Sequence, residues 1–267
     1  METNIVICGA AGRMGKMLVR LIHEHPDAQL VGAIEAVGHP ALGSDAGETA
    51  GIGSLGVPVT SDYAAVAGPD TVTLDFTLAD AAMDHLRTAV ASGAGIAVGT
   101  TGLSAEQRAE AERIAPQSRV LIAPNMSVGV NVLMKVVEDV TRIVGKDFDP
   151  EVVEMHHRFK IDAPSGTALA LGRIIAEAQG KDFDQSAKYG RQGITGQRTD
   201  EEIGMMTLRG GDTVGEHTVH FAGFGERLEL THRALNRECL ARGAVRAALW
   251  LANQPNGLYS MKDVLGL

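Results

Sequence analysis

Two adjacent histidines followed by a lysine are the residues of this chain best suited to transfer a proton. In a strand over residues 151–161, His156 and Lys160 would share one face, and helical spacing would also make them neighbours. Histidine titrates near neutral pH and lysine carries a positive charge, so the pair offers a proton donor and a cation for the substrate. Reduction of a C=N or conjugated C=C bond needs both in addition to hydride. Because a cation lowers the pKa of a nearby imidazole, the sequence leaves the charge state of His156 open.

A serine–glycine–threonine turn follows this segment. Ser165, Gly166 and Thr167 precede residues 168–171, which favour a helix. The backbone N–H groups that open a helix lack partners within it, and with the helix dipole they suit a carboxylate. We therefore expect this turn and the histidine–lysine pair to hold a small anionic dicarboxylate.

Other interpretations of the histidines stay open at this stage. The adjacent pair could lie on the surface, or His157 could be a core histidine. A metal site with His217, His220 or His232 is a further alternative, but no two- or four-residue spacing of histidine, cysteine and acid supports it. We therefore predict no metal. The sequence also has neither a P-loop nor a nucleophile elbow.

Three glycines near the N-terminus predict a dinucleotide site. Gly9, Gly12 and Gly15 follow an apolar run and open an amphipathic segment, and Glu35 ends the next apolar run. Glycines there allow a tight turn, close approach of the backbone to a pyrophosphate and close packing of the helix. An acid such as Glu35 accepts hydrogen bonds from ribose hydroxyls. The alternative is a plain glycine turn in an α/β protein.

Alternating strands and helices must position these loops. Strands are predicted over residues 4–8, 30–34, 71–76, 96–98 and 120–122, and helices over residues 14–26, 79–92 and 104–115. This alternation predicts an α/β fold with a Rossmann-like, doubly wound parallel sheet. The loops 99–101 and 123–126 follow two of the strands, and ligands bind beyond the carboxyl ends of strands in such sheets. Taken singly, both loops are as well explained as ordinary connections.

The pattern changes near residue 127. Helices are predicted over residues 130–144, from 165 onwards and over 237–253, strands over 151–161, 205–209, 217–221 and 227–231, and an extended loop over 181–202. This order predicts a second, α+β domain for substrate binding and oligomerisation. We expect residues 1–127 plus 236–267 to form the dinucleotide-binding domain, and residues 128–235 the second domain.

Composition excludes several classes of protein. A formal net charge of −9 argues against nucleic-acid binding, which needs basic patches. Two isolated cysteines favour a reducing compartment, and no apolar run has the length of a membrane span. The first residues show no signal-peptide pattern, so we expect a cytoplasmic protein without membrane partners.

Taken together, these segments resemble the 4-hydroxy-tetrahydrodipicolinate reductase (dihydrodipicolinate reductase) family. The matching segments, in chain order, are Gly9 to Gly15, Gly43 to Gly47, Asp75 to Thr77, Val98 to Gly102, Pro124 to Asn131, Glu154 with His156 and His157, Lys160, and Asp162 to Ala168. They span most of the chain. The combination of the histidine pair, the lysine and the Asp-Ala-Pro-Ser-Gly-Thr stretch is far more specific than the glycine trio.

The resemblance implies hydride transfer from NADH or NADPH to a cyclic imine dicarboxylate, giving tetrahydrodipicolinate for lysine biosynthesis. His156 and Lys160 match the proton-transfer pair of the family, and His157, Lys160, Gly166 and Thr167 match its substrate-binding positions. Ser165 belongs to the same turn and is a further candidate for substrate binding. The positions that match its cofactor contacts are Gly9, Ala10, Ala11, Gly12, Arg13, Met14, Glu35, Gly99, Thr100, Thr101, Ala123, Pro124, Asn125 and Met126. The resemblance also implies a homotetramer assembled through the sheet of the second domain.

Two positions depart from the family pattern. Many relatives have arginine directly after the ribose-binding acid, where this chain has Ala36, and some have arginine after Asp-Phe-Thr, where it has Leu78. Such cations meet the 2′-phosphate of NADPH, although Arg13 could still serve it. We therefore expect both cofactors to be used, with NADH favoured.

Two other functions remain to be distinguished. Another two-domain nicotinamide dehydrogenase, acting on an amino acid or a polyol, would not need the histidine pair, lysine and Ser-Gly-Thr turn. A redox sensor that binds dinucleotide without turnover would have no reductase activity, so a Lys160→Ala substitution would leave activity unaffected. The absence of a basic DNA-binding segment disfavours the sensor.

Overall fold

A computed structural model describes residues 2–267 of the chain. The strands are β1 (Thr3–Cys8), β2 (Ala28–Ile34), β3 (Val59–Thr60), β4 (Thr71–Asp75), β5 (Gly95–Val98), β6 (Arg119–Ile122), β7 (Asp149–His156), β8 (Ala187–Tyr189), β9 (Ile203–Arg209), β10 (Gly215–Gly223), β11 (Glu226–Ala234) and β12 (Gly257–Tyr259). The helices are α1 (Arg13–Glu24), α2 (Ala46–Ala50), α3 (Ala79–Ser92), α4 (Ala105–Ile114), α5 (Val128–Val144), α6 (Gly166–Ala178), α7 (Phe183–Ser186), α8 (Glu238–Leu251) and α9 (Met261–Leu265). These elements form two compact units, one of residues 2–128 with Glu238–Leu267 and the other of Gly129–Arg237.

The first unit contains a parallel sheet of seven strands in the order β12-β6-β5-β4-β1-β2-β3. Successive residues of β1 point to opposite faces, and both faces are covered. Ile5 and Ile7 belong to the core that includes residues of α1 and α8, whereas Val6 and Cys8 belong to the core with α3 and α4. The doubly wound parallel sheet that the alternating pattern predicts is thereby confirmed.

The second unit contains a mixed sheet of five strands in the order β11-β10-β7-β9-β8. β7 pairs with β9 in parallel and with β10 antiparallel. Its core includes Val152 and Phe221 from the sheet and Leu171 from α6, all fully buried. The predicted α+β organisation is confirmed, and β7 is the central strand that leads to the predicted proton-transfer residues.

Several boundaries predicted from the pattern agree with the structure. α3 runs from Ala79 to Ser92, and the capping box of Ser104 and Gln107 opens α4. The prediction of an extended loop over 181–202 is partly wrong, because α7 and β8 lie within these residues. α7 forms because the Asp182 carboxylate accepts the backbone N–H groups of Asp184 and Gln185, and β8 forms by pairing with β9.

The short elements α2, β3, β12 and α9 were not anticipated by the periodicity. Each is too short to show a repeat of its own, and β3 and β12 pair with strands distant in sequence. Within residues 2–267, no helix combines the length and the apolar character that crossing a membrane requires.

Candidate active site

A buried carboxylate on β7 organises the predicted proton-transfer site. Glu154 is 1% exposed and accepts five hydrogen bonds. Arg209 binds both carboxylate oxygens at 2.8 and 2.9 Å, Thr207 donates from its hydroxyl at 3.3 Å, and the other two donors are described below. Although burial alone would raise the pKa of Glu154, the hydrogen bonds, led by that from Arg209, lower it. Glu154 is therefore ionised in the folded protein at neutral pH.

His156 is held directly by this carboxylate. Its Nδ1 lies 2.6 Å from Glu154 Oε2, and its ring meets the ring of His217 edge-on at 5.2 Å between centroids. A Cβ at Gly215 would lie 2.9 Å from His156 Nε2, so glycine at that position leaves room for the imidazole. Burial lowers the pKa of His156, and the nearby Lys160 adds to this, while Glu154 opposes it.

The strand predicted over 151–161 is too long, because β7 ends at His156. The amide of Gly210 donates to the carbonyl of His156, and the amide of Arg158 donates to that of Gly211, so the chain turns away from the sheet. His156 and Lys160 therefore do not share a strand face. The ammonium of Lys160 contacts both carboxylate oxygens of Asp162, at 2.8 and 2.9 Å.

His157 lies at the start of this turn and is partly buried. Its Nδ1 is buried and has no hydrogen-bond partner among residues 2–267. Its ring lies 6.2 Å from that of Phe159, measured between centroids, and Phe159 is largely exposed. The imidazole thus keeps an unused polar atom beside the turn that carries Lys160.

Ser165 caps α6, as the sequence predicts. Its hydroxyl accepts the backbone N–H of Ala168 at 3.2 Å and lies 3.0 Å from His217 Nε2. The expectation of unpaired amides is wrong for Ser165 itself, because its N–H donates to Glu154 Oε1 at 3.0 Å. Gly166 and Thr167 begin the helix, and a Cβ added at Gly166 would face open space. The helix therefore opens toward solvent at the position where a carboxylate can approach.

Sequence reasoning missed two residues of this site. Arg209 comes from β9, and His217 was considered only as a metal ligand. Burial lowers the pKa of His217 to about 4, which makes it a neutral partner of Ser165. His220 instead lies 3.4 Å from Glu229, and His232 packs against Gly129. No periodic signal links Arg209 to Glu154, since their contact depends on the parallel pairing of β7 with β9.

The glycine loop lies at the end of β1. Gly9 has φ of +82°, a left-handed conformation that favours glycine. A Cβ at Gly15 would lie 2.1 Å from the carbonyl oxygen of Gly9, so only glycine lets α1 pack this close to the loop. Glu35, at the end of β2, accepts the amide of Ala11 at 2.7 Å through Oε1. The loop, the helix N-terminus and the acid are thereby brought together, an arrangement that fits a dinucleotide.

A cavity of about 540 Å³ adjoins this loop. It is lined by Gly9, Ala11, Gly12, Ile34, Glu35, Ala36, Val37, His39, Ser61, Phe76, Thr77, Leu78, Ala81 and His85. Neither lysine nor arginine is among these residues of the described chain. Ala10, Arg13 and Met14 lie outside the lining, and Arg13 is exposed at the start of α1.

A polar cluster under this cavity was not anticipated. The buried carboxylate of Asp75 binds His85 Nδ1 at 2.6 Å and the amide and hydroxyl of Thr77 at 2.9 and 2.7 Å. Ligand atoms of Cys8, Asp75 and His85 lie within 4.8 Å of one another, which is the one grouping of metal-ligand type in the described part of the chain. Burial raises the pKa of the Cys8 thiol, so this cysteine is protonated. Hydrogen bonds within the protein already occupy the Asp75 carboxylate.

The two other predicted loops follow β5 and β6, which are neighbours in the sheet. Gly99 packs against the ring of Phe76, and Thr100 is buried with its hydroxyl donating to the carbonyl of Thr77 at 3.0 Å. Thr101 is exposed. These residues join the glycine loop and the Asp75 cluster at the carboxyl edge of the sheet.

The loop after β6 begins with Ala123, whose amide donates to the carbonyl of Val98, and continues through Pro124. Asn125 Oδ1 accepts the amide of Ser127 at 3.0 Å. Met126 is buried against α8. The loop thus follows the carboxyl end of β6 as expected, although it does not line the cavity described above.

Two family models together cover nearly the whole chain. The model for the N-terminal part of dihydrodipicolinate reductase matches residues 3–126, and the model for its C-terminal part matches residues 129–265. The 4-hydroxy-tetrahydrodipicolinate reductase of Citrifermentans bemidjiense is 50% identical over 264 residues, covering 99% of both chains. That of Geobacter sulfurreducens is 49% identical over 265 residues, with the same coverage.

Solved structures show the same fold. A dipicolinate-bound dihydrodipicolinate reductase from Paenisporosarcina sp. TG-14 superposes with a TM-score of 0.75 at 23% identity, over 97% of this chain and 98% of that one. An amine dehydrogenase from Mycobacterium smegmatis gives a TM-score of 0.60 at 16% identity, over 98% and 95%. At these identities the structures establish the architecture alone, whereas the family models and the full-length relatives match the sequence itself. By that match, this chain belongs to the dihydrodipicolinate reductase family.

Proposed function

We propose that this chain reduces 4-hydroxy-tetrahydrodipicolinate to tetrahydrodipicolinate with a nicotinamide dinucleotide, in diaminopimelate and lysine biosynthesis. The observation that carries the proposal is that one buried carboxylate, Glu154, holds both His156 and the amide of Ser165, which caps α6. A titratable imidazole and a helix N-terminus are thereby fixed side by side. The names and full-length similarity of the curated relatives support the same activity.

The substrate carries two carboxylates, and the second unit offers several groups that suit them. The N-terminus of α6 at Gly166 and Thr167 accepts one carboxylate, since helix N-termini favour negative charge. Lys160 attracts the dianion by exchanging its present partner, Asp162, for substrate. His157 contributes its unused Nδ1. Substrate binding then neutralises the positive charge at the turn that carries Lys160.

His156 and Lys160 supply the proton that accompanies hydride addition. In the free protein, burial favours the neutral form of His156. A bound dianion favours the imidazolium, so substrate raises the pKa of His156 and brings the proton with it. His156 is thus charged when the proton is needed and neutral otherwise.

The residues of the first unit fit NADH and NADPH. Bound dinucleotide supplies the hydride. The loop from Gly9 to Gly15 gives backbone access to a pyrophosphate, and Glu35 accepts ribose hydroxyls. Because the cavity lining includes the exposed Ala36 and Leu78 and, in the described part of the chain, neither lysine nor arginine, we propose that NADH is favoured. No step of the proposal requires a metal.

We further propose a cytoplasmic homotetramer assembled through the sheet of the second unit. Strand β11 lies at the edge of this sheet, and its residues are mostly exposed, Leu228 among them. Phe224, in the turn between β10 and β11, is fully exposed. Apolar side chains at an open sheet edge favour association. Light scattering on the purified chain tests the assembly, and a monomer would contradict it.

Titration with dipicolinate, a planar dicarboxylate, tests the substrate site. We expect saturable binding by calorimetry, with affinity at least about tenfold weaker in Lys160→Ala, since a charge-assisted hydrogen bond contributes about 1.5–3 kcal/mol. Lys188→Ala removes an exposed lysine of β8 and is the matched control. Equal binding by Lys160→Ala and the control would place the carboxylates elsewhere.

A further inference from the structure

We propose that Glu154, neutralised by Arg209, is a positioning residue that fixes which ring nitrogen of His156 is protonated and ties that ring to the N-terminus of α6. This inference rests on the proposed reductase function, but the geometry behind it belongs to the folded chain alone. Glu154 is buried, and its two oxygens have different partners. Oε2 binds His156 and Oε1 binds the amide of Ser165, while Arg209 bridges the two oxygens.

The tautomer follows from the chemistry of the partners. An ionised carboxylate only accepts hydrogen bonds, so the 2.6 Å contact requires a proton on His156 Nδ1. In the neutral imidazole, Nε2 is then a bare acceptor. Nε2 faces Gly215, where the missing side chain leaves space beside the ring.

This arrangement has a consequence for proton transfer. Neutral His156 has no proton on Nε2, so it can donate from that atom only as imidazolium. Nε2 must therefore first take up a proton, while the Nδ1–H group keeps its proton and its hydrogen bond to Glu154 throughout. The rate should accordingly fall as pH rises through the pKa of His156 in the complex.

The charged and titratable groups around His156 come from three strands and one turn. Glu154 on β7 favours its charged form, whereas Arg209 on β9 and Lys160 in the turn disfavour it. His217 on β10 is neutral at physiological pH and contacts the ring edge-on. Glu154 is thus the one group among these that opposes the loss of the proton.

Glu154→Gln tests the proposal because it keeps the size of the side chain and removes its charge. A carboxamide has one acceptor oxygen, so it cannot serve His156 and Ser165 together as the carboxylate does. We expect kcat/KM to fall at least about tenfold, with both kcat and KM affected, and the alkaline decline of activity to move to lower pH. The direction follows because loss of a nearby negative charge lowers the pKa of the imidazole.

A matched control lies on the same strand. Glu151 is a partly buried carboxylate that, like Glu154, is ion-paired, in its case with Arg191 and Arg198, but it does not contact His156. Glu151→Gln therefore removes an equivalent ion-paired charge. We expect it to leave the pH profile unchanged, whatever it does to thermal stability. Equal shifts of the profile in both variants would overturn the positioning role.

The tautomer of His156 can be determined without an activity assay. Two-bond ¹⁵N–¹H correlations of ¹⁵N-histidine-labelled protein distinguish Nδ1–H from Nε2–H, and a His156→Gln sample identifies the resonance among the nine histidines. We expect Nδ1–H for His156 in the unsubstituted protein and in Arg209→Lys, which retains the charge beside Glu154. A ring protonated on Nε2 at neutral pH would overturn the proposal even if Glu154→Gln failed to fold. Nδ1–H in a protein without reductase activity would instead refute the proposed function and leave the positioning intact.

Discussion

The cofactor preference is open to a direct test by replacing Ala36 with arginine. Ala36 is exposed, lines the cavity and follows Glu35, whose carboxylate is held by the amide of Ala11. Because Ala36 directly follows the proposed ribose-binding acid, we expect a guanidinium at this position to reach a 2′-phosphate while it stays exposed. A charge-assisted hydrogen bond contributes about 1.5–3 kcal/mol, and exposed ion pairs contribute about 0.2–1 kcal/mol. A gain of about 1–2 kcal/mol for NADPH is therefore expected, which is about 5- to 30-fold in Kd.

Fluorescence titration with NADPH and NADH separately measures this gain. We expect Ala36→Arg to tighten NADPH binding by that factor and to change NADH binding less than about twofold, because NADH carries no 2′-phosphate. Ala91→Arg adds the same charge at an exposed position near the C-terminal end of α3, outside the cavity lining. This control should change the affinity for neither NADPH nor NADH. The gain should shrink at high salt. If the ratio of the dissociation constants for NADPH and NADH is unaltered in Ala36→Arg, the placement of the 2′-phosphate beside Ala36 is refuted.

Three further substitutions test the two sites. Gly15→Ala should abolish dinucleotide binding and lower the melting temperature, because its Cβ would lie 2.1 Å from the carbonyl oxygen of Gly9; normal binding by fluorescence would mean that the loop accommodates the methyl group. Gly166→Val should raise KM for the substrate with little loss of stability, because the added side chain faces open space at the helix N-terminus, and an unchanged KM would place the carboxylate elsewhere. His156→Ala should lower turnover by about 10²–10⁴-fold with dinucleotide affinity intact, and near-normal turnover would remove His156 from proton transfer.

Local signals explain why much of the first unit could be predicted. The glycine loop requires close packing at Gly15 and a left-handed backbone at Gly9. The glycines that meet these requirements are visible in the sequence itself. Helix ends are also encoded nearby, as in the capping box of Ser104 and Gln107. Such features depend on residues a few positions apart, so no knowledge of the tertiary fold is needed.

The second unit was predicted less completely, because its site depends on distant strand pairing. The end of β7 at His156 is set by contacts with Gly210 and Gly211, which no pattern within 151–161 reveals. Arg209 reaches Glu154 only through the pairing of β7 with β9. The types of the site residues were therefore apparent in the sequence, whereas the buried carboxylate that organises them required the structure.

The same limit applies to Asp75 and His85. They lie on a strand and on the following helix, and their contact depends on how that helix packs on the sheet. The sequence does not indicate that the pair lies beneath the cavity that adjoins the glycine loop. Polar residues buried at the carboxyl edge of a parallel sheet are thus a feature that periodicity alone does not identify.

The decay of nicotinamide absorbance with purified protein tests the proposed reductase activity most directly. Substrate is made in situ from pyruvate and aspartate semialdehyde by the preceding synthase, and NADH and NADPH are supplied separately. We expect decay that requires both the synthase and this protein and that is faster with NADH than with NADPH at equal subsaturating concentrations. Absence of decay with either cofactor, from protein that binds dinucleotide in the titrations above, would contradict the assignment as a reductase.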